Sequence, residues 1–94
     1  MRKNTEMIDD EEDRIADAFE AVCLELRSAM REFPPFRSAH EGVALVEEEF
    51  IELRDAAYWP HKEDTGDEVV EATQLAAMSI RYLIDVCYKE DVPR

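Results

Sequence analysis

Ser38-Ala39-His40-Glu41-Gly42-Val43-Ala44-Leu45-Val46-Glu47-Glu48-Glu49-Phe50-Ile51-Glu52-Leu53-Arg54-Asp55-Ala56-Ala57-Tyr58 decides the fold class of this 94-residue chain. Its start is a capping box, in which the Ser38 hydroxyl takes an early backbone N–H and Glu41 reaches back. Val43, Val46, Phe50, Leu53 and Ala57 then recur at steps of three and four, the period of one helix face. The helix fades around Tyr58-Trp59-Pro60, because a proline pushes its predecessor out of helical geometry.

On the N-terminal side, Ile15, Phe19, Val22, Leu26, Ala29 and Met30 form a second stripe of the same period. It predicts a helix from about Asp9 to Glu32, with acids in its first turn that suit the helix dipole. Phe33-Pro34-Pro35-Phe36 ends it, and the two aromatics are expected to cap the core. On the C-terminal side, a polar loop from His61 to Asp64 leads to Thr65-Gly66-Asp67-Glu68, a second capping box. The third helix carries Glu68, Leu75, Ser79, Tyr82, Leu83 and Val86 on one stripe, with Ala72 and Ala76 beside it. Three helices with short connections predict an all-α, antiparallel three-helix unit. The third helix is apolar around most of its circumference from Leu75 to Ile84. A domain this small cannot cover that surface, so dimerisation into a larger bundle is expected. Residues 1–8 read as a flexible N-terminus, 9–89 as one helical domain, and 90–94 as a frayed tail.

Acidic residues outnumber basic ones 24 to 11, a net charge of −13. Direct nucleic-acid binding and attachment to an anionic membrane need cationic surface and are disfavoured. Divalent cations are welcome. No run of apolar residues is long enough to span a bilayer, and the first residues do not read as a secretory signal. The cytoplasm is the expected location. Cys23 and Cys87 lie on apolar helical faces and read as buried, reduced thiols. With His40 and His61 they make no zinc spacing. No serine or cysteine has the surroundings of an activated nucleophile.

The acids carry the chemistry. On the second helix, Glu48 points away from the apolar stripe, while Glu49 and Glu52 share a flank with Leu45 and Ala56. On the third, Glu68 falls within the apolar stripe and Glu71 at its edge. A carboxylate drawn out of water is costly unless paired, protonated or bound to metal. Acids of this kind on two neighbouring helices predict an oxygen cage for a divalent cation. The competing reading is that they are solvated helix formers.

Leu45-Val46-Glu47-Glu48-Glu49-Phe50-Ile51-Glu52-Leu53 resembles the EExxEL stretch of the all-α nucleoside triphosphate pyrophosphohydrolases, the MazG-like superfamily. Glu49-x-x-Glu52 is followed after eighteen residues by Glu71-Ala72-Thr73-Gln74, where that family has ExxD. A shifted match, Glu68-Val69-Val70-Glu71, follows after fifteen. The resemblance spans roughly residues 33 to 87. It implies a Mg²⁺-dependent hydrolase, dimeric or tetrameric, that splits a nucleoside triphosphate (NTP or dNTP) into monophosphate and pyrophosphate. Glu49, Glu52 and Glu71 would then hold Mg²⁺, and Glu48 or Glu68 would serve the attacking water. Lys62 and Arg81 would touch phosphate, and the base would lie near His61, Trp59 and Tyr58 or in a neighbouring subunit's groove. Gln74 departs from the family's aspartate, and an amide is a weaker Mg²⁺ ligand. The chain also has no evident fourth helix after the third. The alternative is a catalytically inactive acidic helical module that binds or inhibits a basic protein partner.

Overall fold

Asp10 sets the first helix: its side chain accepts the Glu12 N–H at 2.9 Å, and Glu11, Glu12 and Asp13 fill the turn that follows. The structure is a computed structural model and describes residues 10–59 and 66–94. Helix α1 runs Glu11–Glu32, α2 Ala39–Tyr58 and α3 Glu68–Tyr82. No strand occurs among the described residues, so the all-α class holds.

Ser38 caps α2 as expected, accepting the Glu41 N–H at 3.0 Å. Glu41 returns one residue further than in the usual box. Its carboxylate accepts the Arg37 N–H and the Arg37 guanidinium, both at 2.7 Å. At α3 the cap is Asp67, whose Oδ1 accepts the Val69 and Val70 N–H groups at 2.8 and 3.2 Å. Thr65, expected in that role, lies outside the described residues. Helix α3 continues into a π-helical turn, Leu83–Cys87, closed by the Tyr88 N–H on the Leu83 carbonyl at 2.8 Å.

Helix α3 packs against both α1 and α2, whereas α1 and α2 scarcely meet. The fully buried apolar residues are Ala29, Phe36, Ala39, Ala56, Ala77 and Val86, most of them small. The phase of α2 differs from the expected stripe. Ala39, Gly42 and Ala56 are buried and Val46, Glu49 and Leu53 half-buried, while Val43, Phe50 and Ala57 stand exposed. Close approach explains the shift. A Cβ on Gly42 would lie 2.7 Å from the Tyr82 ring and 3.0 Å from that of Phe36. Small side chains let α2 sit directly on α3 and turn its larger apolar groups outward. Both cysteines are exposed rather than buried. On α1, Ile15 and Phe19 also lie outside the core, with Phe19 70 % exposed.

The last residues, expected to fray, fold back onto the start of α2. Asp91, in the left-handed region at φ 64°, turns the chain back. The carbonyls of Pro93 and Arg94 then accept the Ala39 and His40 N–H groups, which open α2, at 2.8 and 2.6 Å. Val92 packs against the cluster of Phe36, Ala39 and Val86. Free N–H groups at a helix start need partners, and the tail supplies two.

One ionic network fastens the helices together. Arg81 and Asp85, each 2 % exposed, pair at 2.9 Å through Nε and Oδ2. Arg81 Nη1 donates to the Ala29 carbonyl at 3.0 Å and Nη2 to that of Phe33 at 2.7 Å, which closes the C-terminal end of α1. Asp85 Oδ2 also accepts the Phe36 N–H at 3.0 Å. The guanidinium carbon stands 5.5 Å from the Phe36 ring centre, within cation–π range. The link between α1 and α2 is thus held by α3 from below. Among the described residues, no helix is long and apolar enough to cross a membrane.

Candidate functional site

Glu49 lies on the packed face of α2 because the close contact at Gly42 sets the rotation of that helix. Glu52 follows one turn later on its exposed edge. Glu71 is in the first turn of α3, half-buried. The packing of α2 on α3 brings one carboxylate oxygen from each of Glu49, Glu52 and Glu71 within 4.8 Å of the others. The Glu71 carboxylate lies against the backbone of Gly66.

The electrostatics are unrelieved. Oε1 of Glu49 and Oε1 of Glu71 are buried and have no hydrogen-bond partner. Burial raises the pKa of Glu49 above the ordinary carboxylate range, and the neighbouring charges of Glu52, Glu71, Glu48 and Glu25 raise it further. Glu71 is raised in the same way, by burial first, then by the charge of Glu52, a hydrogen bond with Glu52 and the charge of Asp67. Such a site favours either protons or a cation.

The donor set fits a hard divalent ion: three carboxylates, all oxygen, from two helices, with two oxygens lacking protein donors. Glu49, Glu52 and Glu71 are the residues that would hold such an ion.

A groove of about 680 Å³ opens beside the cluster and shares Glu49 with it. Glu25 and Ala29 of α1 form one wall, Leu45 and Glu48 of α2 the other. Met78 and Gln74 of α3 make the floor, and Phe33-Pro34-Pro35 closes the far end. Its volume falls in the range of small-molecule sites.

The residues singled out from the sequence separate into groups. Glu49, Glu52 and Glu71 come together. Glu48 is exposed on the groove wall beside them. Glu68 is the exposed first residue of α3 and takes no part in the three-carboxylate cluster. Gln74 lines the groove. Arg81 lies under the groove, but Nε, Nη1 and Nη2 all donate to protein oxygens, so its place is structural. Lys62 and His61 fall outside the described residues. Glu25, on the first helix, went unnoticed in the sequence. An acid three and four residues from Val22 and Ala29, inside an apolar stripe, was the available signal.

Comparison of the chain with family models, curated proteins and solved structures returned no match.

Proposed function

We propose that this chain is a Mg²⁺-dependent nucleoside triphosphate pyrophosphohydrolase of the MazG-like type, working as a homodimer. One observation carries the reading: carboxylates of α2 and α3 converge with two buried oxygens unsatisfied, at the end of a groove large enough for a nucleotide. Mg²⁺, when bound, would offset phosphate charge and polarise the phosphoryl group under attack.

The chain's own residues divide the remaining work. Glu49, Glu52 and Glu71 hold the ion. Glu48, on the groove wall next to Glu49, accepts the proton of the attacking water. The water oxygen bonds to the α-phosphorus, the bond from that phosphorus to the bridging oxygen breaks, and pyrophosphate leaves. The floor at Gln74 borders the nucleotide and leaves the metal to three carboxylates. The proposed monophosphate product keeps its base in the groove until release.

The homodimer is supported by apolar surface left open on this unit, including Phe19 and Leu24 of α1 and Val43 and Phe50 of α2. The radius of gyration, 15.7 Å, exceeds the roughly 12 Å of a compact domain of this length. A covering partner would bury that surface. Sedimentation that returns a monomer at all concentrations retires the dimer.

Pyrophosphate release, measured with each common triphosphate at saturating Mg²⁺, tests the reaction. Release that disappears in Glu49→Gln and Glu71→Gln supports it. No release from any triphosphate retires it. Salt-sensitive binding to a basic protein with indifference to Mg²⁺ would replace it with the acidic-module reading.

A further inference from the structure

The groove contains a carboxylate that neither the fold nor the proposed reaction uses. Glu25 is half-buried on α1 and makes no hydrogen bond or ion pair with the described residues. It faces the groove, which Glu49 also lines. It therefore stands across the groove from the α2 wall, near the carboxylate cluster.

A nucleotide with its phosphates at that cluster must send its sugar and base into the adjoining space. Glu49 belongs to both, so the two are continuous. The interior is apolar at Ala29, Phe33, Leu45 and Met78, and suits a flat ring system. Its polar margin holds the acids Glu25, Glu41, Glu48 and Glu49 beside Gln74 and two arginines. Arg37 is paired with Glu41 and Arg81 donates to protein oxygens, so Glu25 is the acid facing the interior from α1. An ionised carboxylate accepts hydrogen bonds and donates none.

Resting on the pyrophosphohydrolase reading, we infer that Glu25 reads the base and that the groove prefers guanine over uracil and thymine. Guanine presents N1–H and an amino group side by side, which match the two oxygens of one carboxylate. Cytosine and adenine offer one amino group next to an acceptor nitrogen and rank between. Uracil and thymine present a single N–H between two carbonyl oxygens, which face the carboxylate oxygens and repel them. Rejection of the wrong base contributes as much to the choice as attraction of the right one.

Calorimetric titration of the full chain with Mg²⁺ tests this, using the α,β-methylene analogues of GTP and UTP, which resist cleavage at that bond, and inorganic tripolyphosphate. The GTP analogue is expected to bind roughly ten- to a hundredfold tighter than the UTP analogue, the range of one bidentate base contact. Glu25→Gln, whose amide both donates and accepts, should shrink that ratio to near one. The ratio is insensitive to the general gain in phosphate affinity that follows loss of a negative charge. Glu25→Ala repeats the measurement, with circular dichroism to confirm the helices in both variants. Equal affinities in the parent chain, tighter UTP analogue, or a ratio that survives both substitutions would overturn the inference. Tripolyphosphate and both analogues binding alike would remove the base reading and leave the phosphate site standing. Failure of all three to bind with Mg²⁺ would remove both.

Discussion

Helix α3 carries two charged sites, about 15 Å apart at ten residues of helical rise, and they are built on opposite terms. At Arg81–Asp85 a cation and an anion are sealed together, and three guanidinium nitrogens and one carboxylate oxygen find partners in α1, the link and each other. At Glu49, Glu52 and Glu71, charges of one sign are gathered, and two buried oxygens find none. A buried pair satisfied from within serves the fold. A buried group lacking its counter-charge lowers the stability of the empty protein and reserves a place for something positive. On the proposed reading, the first site serves the fold and the second awaits a ligand.

The largest test removes the satisfied site. Asp85→Ala strands the Arg81 guanidinium and the Phe36 N–H, and should cost about 3–5 kcal/mol, measured by urea denaturation. A loss under about 1 kcal/mol, the level of an exposed pair, would break the contrast. Next comes Mg²⁺. Saturation at a hundredfold excess over Kd should raise stability by about 2.7 kcal/mol, read as a shift in thermal midpoint. No shift with Mg²⁺ would strip the acidic site of its proposed role. Glu71→Gln should act in reverse order to Asp85→Ala. It should stabilise the metal-free chain by about 1 kcal/mol, or roughly 4–8 °C, and abolish the response to Mg²⁺. Destabilisation of the metal-free chain would show that Glu71 has a structural partner after all.

The smallest effect is in pH. Glu49 and Glu71 have native pKa values raised above those of the unfolded chain. Between the ordinary carboxylate pKa and the raised one, the native state holds more protons than the unfolded state, so stability falls as pH rises. The metal-free protein should therefore gain stability from these groups as pH drops from 7 through the raised range. The gain ends near the ordinary carboxylate value. The double variant Glu49→Gln/Glu71→Gln should lose that slope in a thermal series across pH. Mg²⁺ affinity should rise with pH over the same interval, because the ligands must shed protons to bind it.

Much of the fold was readable from local pattern. The Ser38 cap, the break at Phe33-Pro34-Pro35-Phe36 and the end of α2 at Tyr58 depend on residues within one turn of each other. The rotation of α2 was not readable. Large apolar side chains mark the strongest periodicity, yet Ala39, Gly42 and Ala56 make the contact, because contact distance between two helices depends on the smallest side chains between them. The tail was missed for a related reason. Its hydrogen bonds join residues 93 and 94 to residues 39 and 40, a pairing invisible to any short window. Of the site, Glu49, Glu52 and Glu71 were identified as a group, whereas Glu25 needed the packing of α1 on α3 to place it. Arg81, expected to touch phosphate, instead gives its guanidinium to protein oxygens. Its spacing of four from Asp85 inside an apolar run was the overlooked sign of a buried pair.

Sequence alone determined the helical class, the caps, the breaks and the excess of acid, since propensity, capping and net charge are local or additive properties. Tertiary structure decided which acids meet, which charges are neutralised and which face of α2 turns inward. Those outcomes depend on how closely two backbones can approach, and that distance is a property of the assembled helices.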